Sequence, residues 1–236
     1  MKRVLVTLSL CAMLAQAHDI ITTPITFDHE ISRLFYDRCV SCHHPGGTAF
    51  SLVTYADSRP WAVAIKEEVL TRRMPPWGAV KGFGDFRNDK ALTPEQLELI
   101  ESWVDGGVPE GEPKDLPPEP KFSAATPIAH RHGDLAAHGD FQLHRPFVLD
   151  GLVPQNVSAK ADFKVTAELP DGTVLPLVWI KNYKPQFAHE FWLREPPTLP
   201  AGAIIRGIPE GVTLLLLPPD PAAEAAAKAS SARSGK

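Results

Sequence analysis

The chain has 236 residues, of which 44% are apolar and 22% charged, a composition typical of one or two soluble globular domains. It holds 24 Lys and Arg residues against 28 Asp and Glu residues. This acidic balance argues against nucleic acids and anionic membranes as partners, because both favour basic surfaces.

The first 17 residues have the pattern of a signal peptide. Lys2 and Arg3 form a positive start, an apolar run covers residues 4–14, and residues 15–17 (Ala-Gln-Ala) supply a cleavage site. The apolar run is too short to cross a bilayer core of ~30 Å. We therefore expect a mature protein that begins at His18, is exported to the periplasm or a similar compartment, and inserts into no membrane.

Only two cysteines, Cys39 and Cys42, follow the predicted signal peptide, and His43 comes directly after them. A close cysteine pair also suits a redox disulfide or half of a zinc site. However, a second cysteine pair is missing, and this pair follows a helical pattern instead of a strand. The spacing C-x-x-C-H is that of c-type haem attachment. It predicts one haem bound covalently to both cysteines, with His43 on the iron.

Three helices are predicted around this motif. The first begins after Thr26 and runs into Cys39, and the second covers residues 59–72. The third has Thr93 as its N-cap and Gln96 three residues later, the spacing of a capping box. The apolar faces of the three helices consist of Phe27, Ile31, Leu34 and Phe35, then Trp61, Ile65 and Val69, then Leu97, Ile100, Trp103 and Val104.

Met74 is the one methionine outside the predicted signal peptide, and Pro75 and Pro76 follow it. Tandem prolines cannot continue a helix, which predicts an extended loop that presents Met74. Because Met/His ligation is common at the iron of cytochromes c, we predict Met74 as the second axial ligand. The histidines after the linker remain the alternative.

Residues 26–108 resemble a class I cytochrome c domain in their order of helix, C-x-x-C-H motif, middle helix, methionine loop and closing helix. Three runs, RRMPPWGA at 72–79, FRND at 86–89 and WVDGG at 103–107, resemble more narrowly the cytochrome domains joined to copper type II, ascorbate-dependent monooxygenase-like domains. The resemblance implies that His43 is the proximal ligand and Met74 the distal one. It also implies that Pro45, as a support for the His43 ring, and Trp77 belong to the surroundings of the haem.

The second half of the chain has a different character. Residues 109–139 form a proline-rich linker and a histidine-containing segment. Residues 140–218 contain alternating and apolar runs separated by Pro/Gly turns, which predicts a small antiparallel β-sandwich-like domain. Residues 219–236 are typical of a disordered tail. The predicted class is therefore α + β, with a small all-α haem domain at 18–108 before the β domain.

The second half also resembles a shortened copper monooxygenase-like module, through residues 163–172 and Leu199-Pro200-Ala201-Gly202. Where that family carries an H-x-H copper pair, residues 158–162 read Ser-Ala-Lys-Ala-Asp, and the later methionine ligand is missing too. Monooxygenase activity is therefore not expected. Four histidines lie close together in the sequence: His130, His132, His138 and His144. They predict a solvent-facing loop or, as the weaker alternative, a second metal site that binds copper.

Together these patterns predict an exported monohaem c-type cytochrome that passes single electrons to a redox protein partner. The β domain would then dock that partner or hold the cytochrome near it. The protein is then an electron carrier and not an enzyme. Two alternatives stay open. One is a redox enzyme with haem and copper, and the other is a haem sensor in which a small gas displaces Met74.

Overall fold

The computed structural model describes residues 23–122 and 133–220. The predicted signal peptide, His130, His132 and nearly all of the predicted tail lie outside these residues. By its internal contacts the chain divides into two compact units. Within the described residues, the helical unit comprises 23–71 and 92–122, and the β unit comprises 72–91 and 133–220. Short helices and antiparallel sheets confirm the α + β class.

The helical unit contains four α-helices. A π-helical turn, Phe27–Ile31, leads into α1, Ser32–Arg38. Helix α2, Tyr55–Ser58, continues through a 3₁₀ turn, Arg59–Trp61, into α3, Ala62–Leu70. Helix α4 is Pro94–Asp105, and a 3₁₀ turn at Pro113–Asp115 follows it.

The predicted helix starts at Thr26 and Thr93 are confirmed. Thr26 Oγ1 accepts a hydrogen bond from the His29 backbone N–H, and Thr93 forms a reciprocal capping box with Gln96. The second helical stretch begins at Tyr55, four residues earlier than predicted, because Thr54 and Asp57 form another capping box there. A side chain that satisfies free N–H groups at a helix start stabilises the helix by ~1 kcal/mol.

The core of the helical unit is built on Trp103 of α4. Its ring lies about 6 Å from the rings of Phe27 and Phe35, and none of the three is more than 1% exposed. The indole N–H donates to the Pro109 carbonyl at 3.0 Å, so the buried polar atom of the ring has a partner. Helix α4 therefore packs on the first helical stretch through Phe27 and Phe35.

The β unit contains ten short strands, and all their pairings are antiparallel. One four-stranded sheet has the order β1-β10-β4-β7, a second has the order β2-β9-β5-β6, and β3 pairs with β8. The strands are β1 Leu135–Ala137, β2 Phe141–Gln142, β3 Phe147–Val148, β4 Gly151–Gln155, β5 Phe163–Glu168, β6 Val174–Ile180, β7 Phe191–Trp192, β8 Thr198–Leu199, β9 Ile204–Arg206 and β10 Thr213–Leu217.

Both four-stranded sheets contribute side chains to one buried cluster. Leu152 and Leu214 enter it from the first sheet, and Val165, Val178 and Ile205 enter it from the second. Each of these five residues is fully buried. A shared apolar core between two sheets is how antiparallel strands bury their inner faces.

Residues 72–91 are part of the β unit, whereas the sequence analysis assigned them to the haem domain. Ala79 forms a β-bridge with Ile180, and Phe86 forms one with Leu193. The chain passes so close to β6 that a Cβ on Gly84 would lie 2.3 Å from the Leu177 carbonyl oxygen, which only glycine avoids. These non-local contacts explain the difference, because residues 72–91 contain no α-helix or strand of their own.

Candidate functional site

The C-x-x-C-H motif forms a tight turn at the end of α1. Cys39 is the C-cap of the helix, and its carbonyl accepts hydrogen bonds from the backbone N–H groups of Cys42 and His43, at 3.1 and 3.0 Å. Neither cysteine is in a disulfide, and both are partly exposed. The turn continues into Gly47, where a Cβ would lie 2.5 Å from the Cys42 carbonyl oxygen. The structure therefore brings Cys39, Cys42 and His43 together on one short turn.

The His43 ring is oriented by a backbone carbonyl. Its Nδ1 lies 2.9 Å from the carbonyl oxygen of Phe50. Because a carbonyl only accepts, Nδ1 carries the hydrogen and Nε2 keeps its lone pair. Burial lowers the pKa of His43 below 6.5, although the Phe50 carbonyl acts in the opposite direction. His43 is therefore a neutral imidazole with Nε2 available as a ligand.

Pro45 does not hydrogen-bond to the His43 ring. Its carbonyl oxygen lies 2.9 Å from Nδ1 of His44, the next histidine along the chain. The His44 ring stacks on Phe122 with the two planes 4° apart. The support that the sequence analysis assigned to Pro45 thus comes from Phe50 instead, seven residues after His43.

Two aromatic rings lie beside His43. The Phe50 ring meets the His43 ring edge to face at a centroid distance of 4.9 Å, and Trp61 stacks on Phe50 at 4.5 Å. Phe50 is 45% exposed and Trp61 is 46% exposed, unlike Ile65 and Val69, which are buried. The predicted apolar face of the second helix is therefore confirmed for Ile65 and Val69, whereas Trp61 packs on Phe50.

Hydrogen bonds fix the segment that contains Phe50. The backbone N–H of Ala49 donates to the Cys42 carbonyl, and that of Leu52 donates to the His43 carbonyl. Ser51 Oγ donates to the Asp57 carboxylate at 2.7 Å. This bond, followed by contacts with Thr54, holds the pKa of Asp57 below its ordinary value. The Phe50 carbonyl is thus tied both to the C-x-x-C-H turn and to the start of α2.

Met74 and Trp77 belong to the β unit, whereas His43 belongs to the helical unit. Met74 is partly exposed. Trp77 is 6% exposed and lies in the main core of the β unit, where it stacks on His189 at a centroid distance of 4.8 Å and meets Phe191 edge to face. Its role in the structure is core packing within the β unit.

His189 is a partly buried histidine for which the sequence predicted no separate role. Its Nδ1 lies 2.8 Å from the Phe187 carbonyl oxygen, whereas Nε2 is buried and makes no hydrogen bond of normal geometry. Burial lowers the pKa of His189, while nearby backbone groups of Phe187 and Trp77 and the charge of Glu190 oppose the shift. No local sequence signal distinguishes this histidine from the exposed ones.

The four-histidine segment is described only in part. His138 and His144 are exposed, and the nearest described partner of His138 is Thr213 Oγ1 at 3.4 Å. Over residues 23–122 and 133–220, His, Cys, Asp and Glu side chains form no group of three or more that could hold a metal ion. The described histidines therefore give no support to a second metal site.

The donor set at the C-x-x-C-H turn fits a covalently bound haem. Two partly exposed thiols that form no disulfide lie on one turn with an imidazole whose Nδ1 hydrogen is held by a carbonyl, the arrangement that fixes the tautomer of ligating histidines.

None of the helices in the described parts of the chain has the length and apolarity that a membrane span requires. Comparison of the chain with protein-family models, with curated proteins and with solved structures found no match.

Proposed function

We propose that this chain is an exported c-type cytochrome with one haem, and that it transfers single electrons. Cys39 and Cys42 hold the haem through thioether bonds, and His43 Nε2 is the proximal iron ligand. Met74 is proposed as the distal ligand, on the sequence pattern and the family resemblance alone. When bound, the haem iron supplies the one-electron Fe(III)/Fe(II) couple.

The observation that carries the proposal is the state of His43. A neutral imidazole with its Nδ1 hydrogen on a backbone carbonyl presents Nε2 in the correct tautomer for an iron. Cys39 and Cys42 lie on the same turn and form no disulfide. In this proposal residues 26–108 form a class I cytochrome c domain, and the support is the order of the helices around the motif.

Charge supports the proposed class of partner. The described residues of the helical unit include 14 Asp and Glu residues against 6 Lys and Arg residues, a formal net charge of −8. The described residues of the β unit include 12 of each kind and are formally neutral. A redox protein with a basic surface would therefore be attracted to the helical unit, and the rate of association would fall as salt screens the charges.

The test is expression of the full chain in a host that attaches c-type haem, followed by absorption spectra of the ferric, ferrous and carbon monoxide-treated ferrous protein. We expect one haem that stays with the chain under denaturing conditions, and a low-spin spectrum that carbon monoxide does not change. Cys39→Ala and Cys42→Ala should each lose one thioether bond. His44→Ala is the matched control, because His44 adjoins the motif but bonds to Pro45.

Two results would change the proposal. A wild-type chain that carries no covalent haem after maturation would exclude it. A covalent haem that binds carbon monoxide readily would mean that Met74 does not hold the distal position, which favours the sensor. In that case Met74→Leu should leave the carbon monoxide spectrum unchanged.

A further inference from the structure

Phe50 contacts His43 in two independent ways. Its carbonyl oxygen lies 2.9 Å from His43 Nδ1, and its ring packs against the edge of the imidazole at 4.9 Å with the planes 76° apart. The first contact fixes the hydrogen on Nδ1, and the second restricts rotation of the ring about its bond to Cβ. A single residue thus controls both the tautomer and the orientation of the proposed iron ligand.

We propose that Phe50 and Trp61 are positioning residues that fix the His43 imidazole and so set the reduction potential of the protein. This inference rests on the proposed function. Trp61 acts through Phe50, on which it stacks at 4.5 Å with the planes 28° apart. The three rings form a continuous row of contacts from the iron ligand to the start of α3, edge to face between His43 and Phe50 and stacked between Phe50 and Trp61. We refer to this row of three rings as the stack.

The stack is anchored on rigid structure at its far end. Trp61 closes the 3₁₀ turn Arg59–Trp61 between α2 and α3. The Thr54–Asp57 capping box fixes the start of α2, and Ser58 Oγ donates to the Leu52 carbonyl, two residues after Phe50. The backbone on both sides of Phe50 is therefore fixed, whereas its ring, 45% exposed, depends on Trp61 for one of its faces.

The chemical consequence has a definite direction. A hydrogen bond from Nδ1–H to a carbonyl increases the electron donation of the imidazole to a metal on Nε2, which favours the oxidised metal. If the ring rotates away, the hydrogen bond weakens and the imidazole donates less. Loss of the Trp61 ring should therefore raise the reduction potential without removing the iron ligand.

The experiment compares the haem-loaded full-length wild type with Trp61→Leu, Trp61→Phe and Phe50→Leu. Redox titration measures the Fe(II)/Fe(III) ratio at a fixed applied potential. Electron paramagnetic resonance of the ferric protein reports the orientation of the axial imidazole. Val63→Ala is the matched control, because Val63 lies on α3 and is 71% exposed. The amount of covalent haem per chain and the helical circular dichroism show whether each variant folds.

We expect Trp61→Leu to increase the Fe(II)/Fe(III) ratio about tenfold at a fixed applied potential. This change corresponds to a rise of ~59 mV in the reduction potential of a one-electron couple. Phe50→Leu, which keeps the carbonyl but loses the ring, should shift the ratio in the same direction. Trp61→Phe should restore most of the wild-type value, and Val63→Ala should not change it.

The inference is overturned on its own if the wild type carries low-spin covalent haem and Trp61→Leu and Phe50→Leu have its potential and resonance spectrum. A shift in Val63→Ala as large as that in Trp61→Leu would also overturn it, since the effect would then not depend on the stack. If the wild type binds no covalent haem, the proposed function and this inference both fail.

Discussion

The two terminal nitrogens of Arg87 each lie 2.8 Å from a carboxylate oxygen of Asp150, so the two side chains form a bidentate ion pair. Arg87 also donates to the Leu193 carbonyl, and its guanidinium lies over the Trp192 ring at 5.2 Å. Bidentate pairs of this geometry are the stronger class of ion pair. This pair joins residues 72–91 to the strands β4 and β7 of the first sheet.

Arg87→Met should therefore destabilise the β unit. The change leaves the Asp150 carboxylate, which is 8% exposed, without its main partner. Removing one partner of a fully buried pair costs 3–5 kcal/mol, but the Arg87 side chain is 43% exposed, so we expect about 2 kcal/mol. Urea unfolding followed by tryptophan fluorescence measures the change. The free energy of unfolding of Arg87→Lys should lie between those of the wild type and Arg87→Met. Equal stability of all three proteins would contradict a role for the bidentate pair.

Asp57 should make the helical unit sensitive to acid. The Ser51 hydroxyl, followed by Thr54, holds the pKa of Asp57 below its ordinary value of 3.8, so the folded state favours the ionised carboxylate. The contribution of Asp57 to the free energy of unfolding is present above pH 3.8. It is lost as the pH falls through the lower pKa of the folded state. Asp57→Asn should lower the free energy of unfolding at neutral pH, and the difference from the wild type should shrink as the pH falls below 3.8. A difference that does not depend on pH would contradict this account.

Asp28 should make the stability of the helical unit depend on pH in the opposite direction. Burial, followed by the charges of Glu110, Asp115 and Glu112, raises the pKa of Asp28 above 3.8. The protonated form is then favoured in the folded state, and that stability is lost as the pH rises through the folded pKa. Asp28→Asn should therefore be more stable than the wild type at neutral pH, with the gain disappearing below about pH 3. Thermal unfolding at a series of pH values measures it, and a loss of stability at neutral pH would exclude the explanation.

His189 should destabilise the β unit as the pH falls below 6.5. Burial lowers its pKa, so the unfolded chain takes up a proton at a higher pH than the folded chain does. The free energy of unfolding should then decrease from pH 6.5 down to the folded pKa and stay level below it. In His189→Gln this slope should be absent, although the loss of the stack on Trp77 lowers the stability at every pH. The two profiles, from urea unfolding at each pH, should converge in acid.

Local patterns in the sequence predicted much of the secondary structure. The capping box of Thr93 and Gln96 and the buried face with Trp103 are features of one helix, so α4 is predictable without its neighbours. The alternation in β5 and the turn before β6 are also local patterns, and both strands form in the structure. Strands β1 to β4 are harder to predict individually, because they are short and depend on partners more than 40 residues away.

In the candidate site, too, the local motif was predictable and the contacts from elsewhere in the chain were not. Cys39, Cys42 and His43 form one motif, and their grouping follows from their spacing. The partner of His43 was not predictable, because nothing in the sequence distinguishes the carbonyl of Phe50 from that of Pro45. The place of Trp77 was missed for a different reason, since its core contacts, His189 and Phe191, come from more than 100 residues along the chain.

The chain passes between the two units three times, at residues 71–72, at residues 91–92 and between Phe122 and Gly133. A protease cut in the last of these connections would leave residues 72–91 on the N-terminal fragment. Their hydrogen bonds to β6 and β7, such as Val80 N–H to the Trp179 carbonyl and Arg87 N–H to the Trp192 carbonyl, would remain. The nicked protein should therefore behave as a split protein whose two fragments complement each other, co-eluting until denaturant separates them.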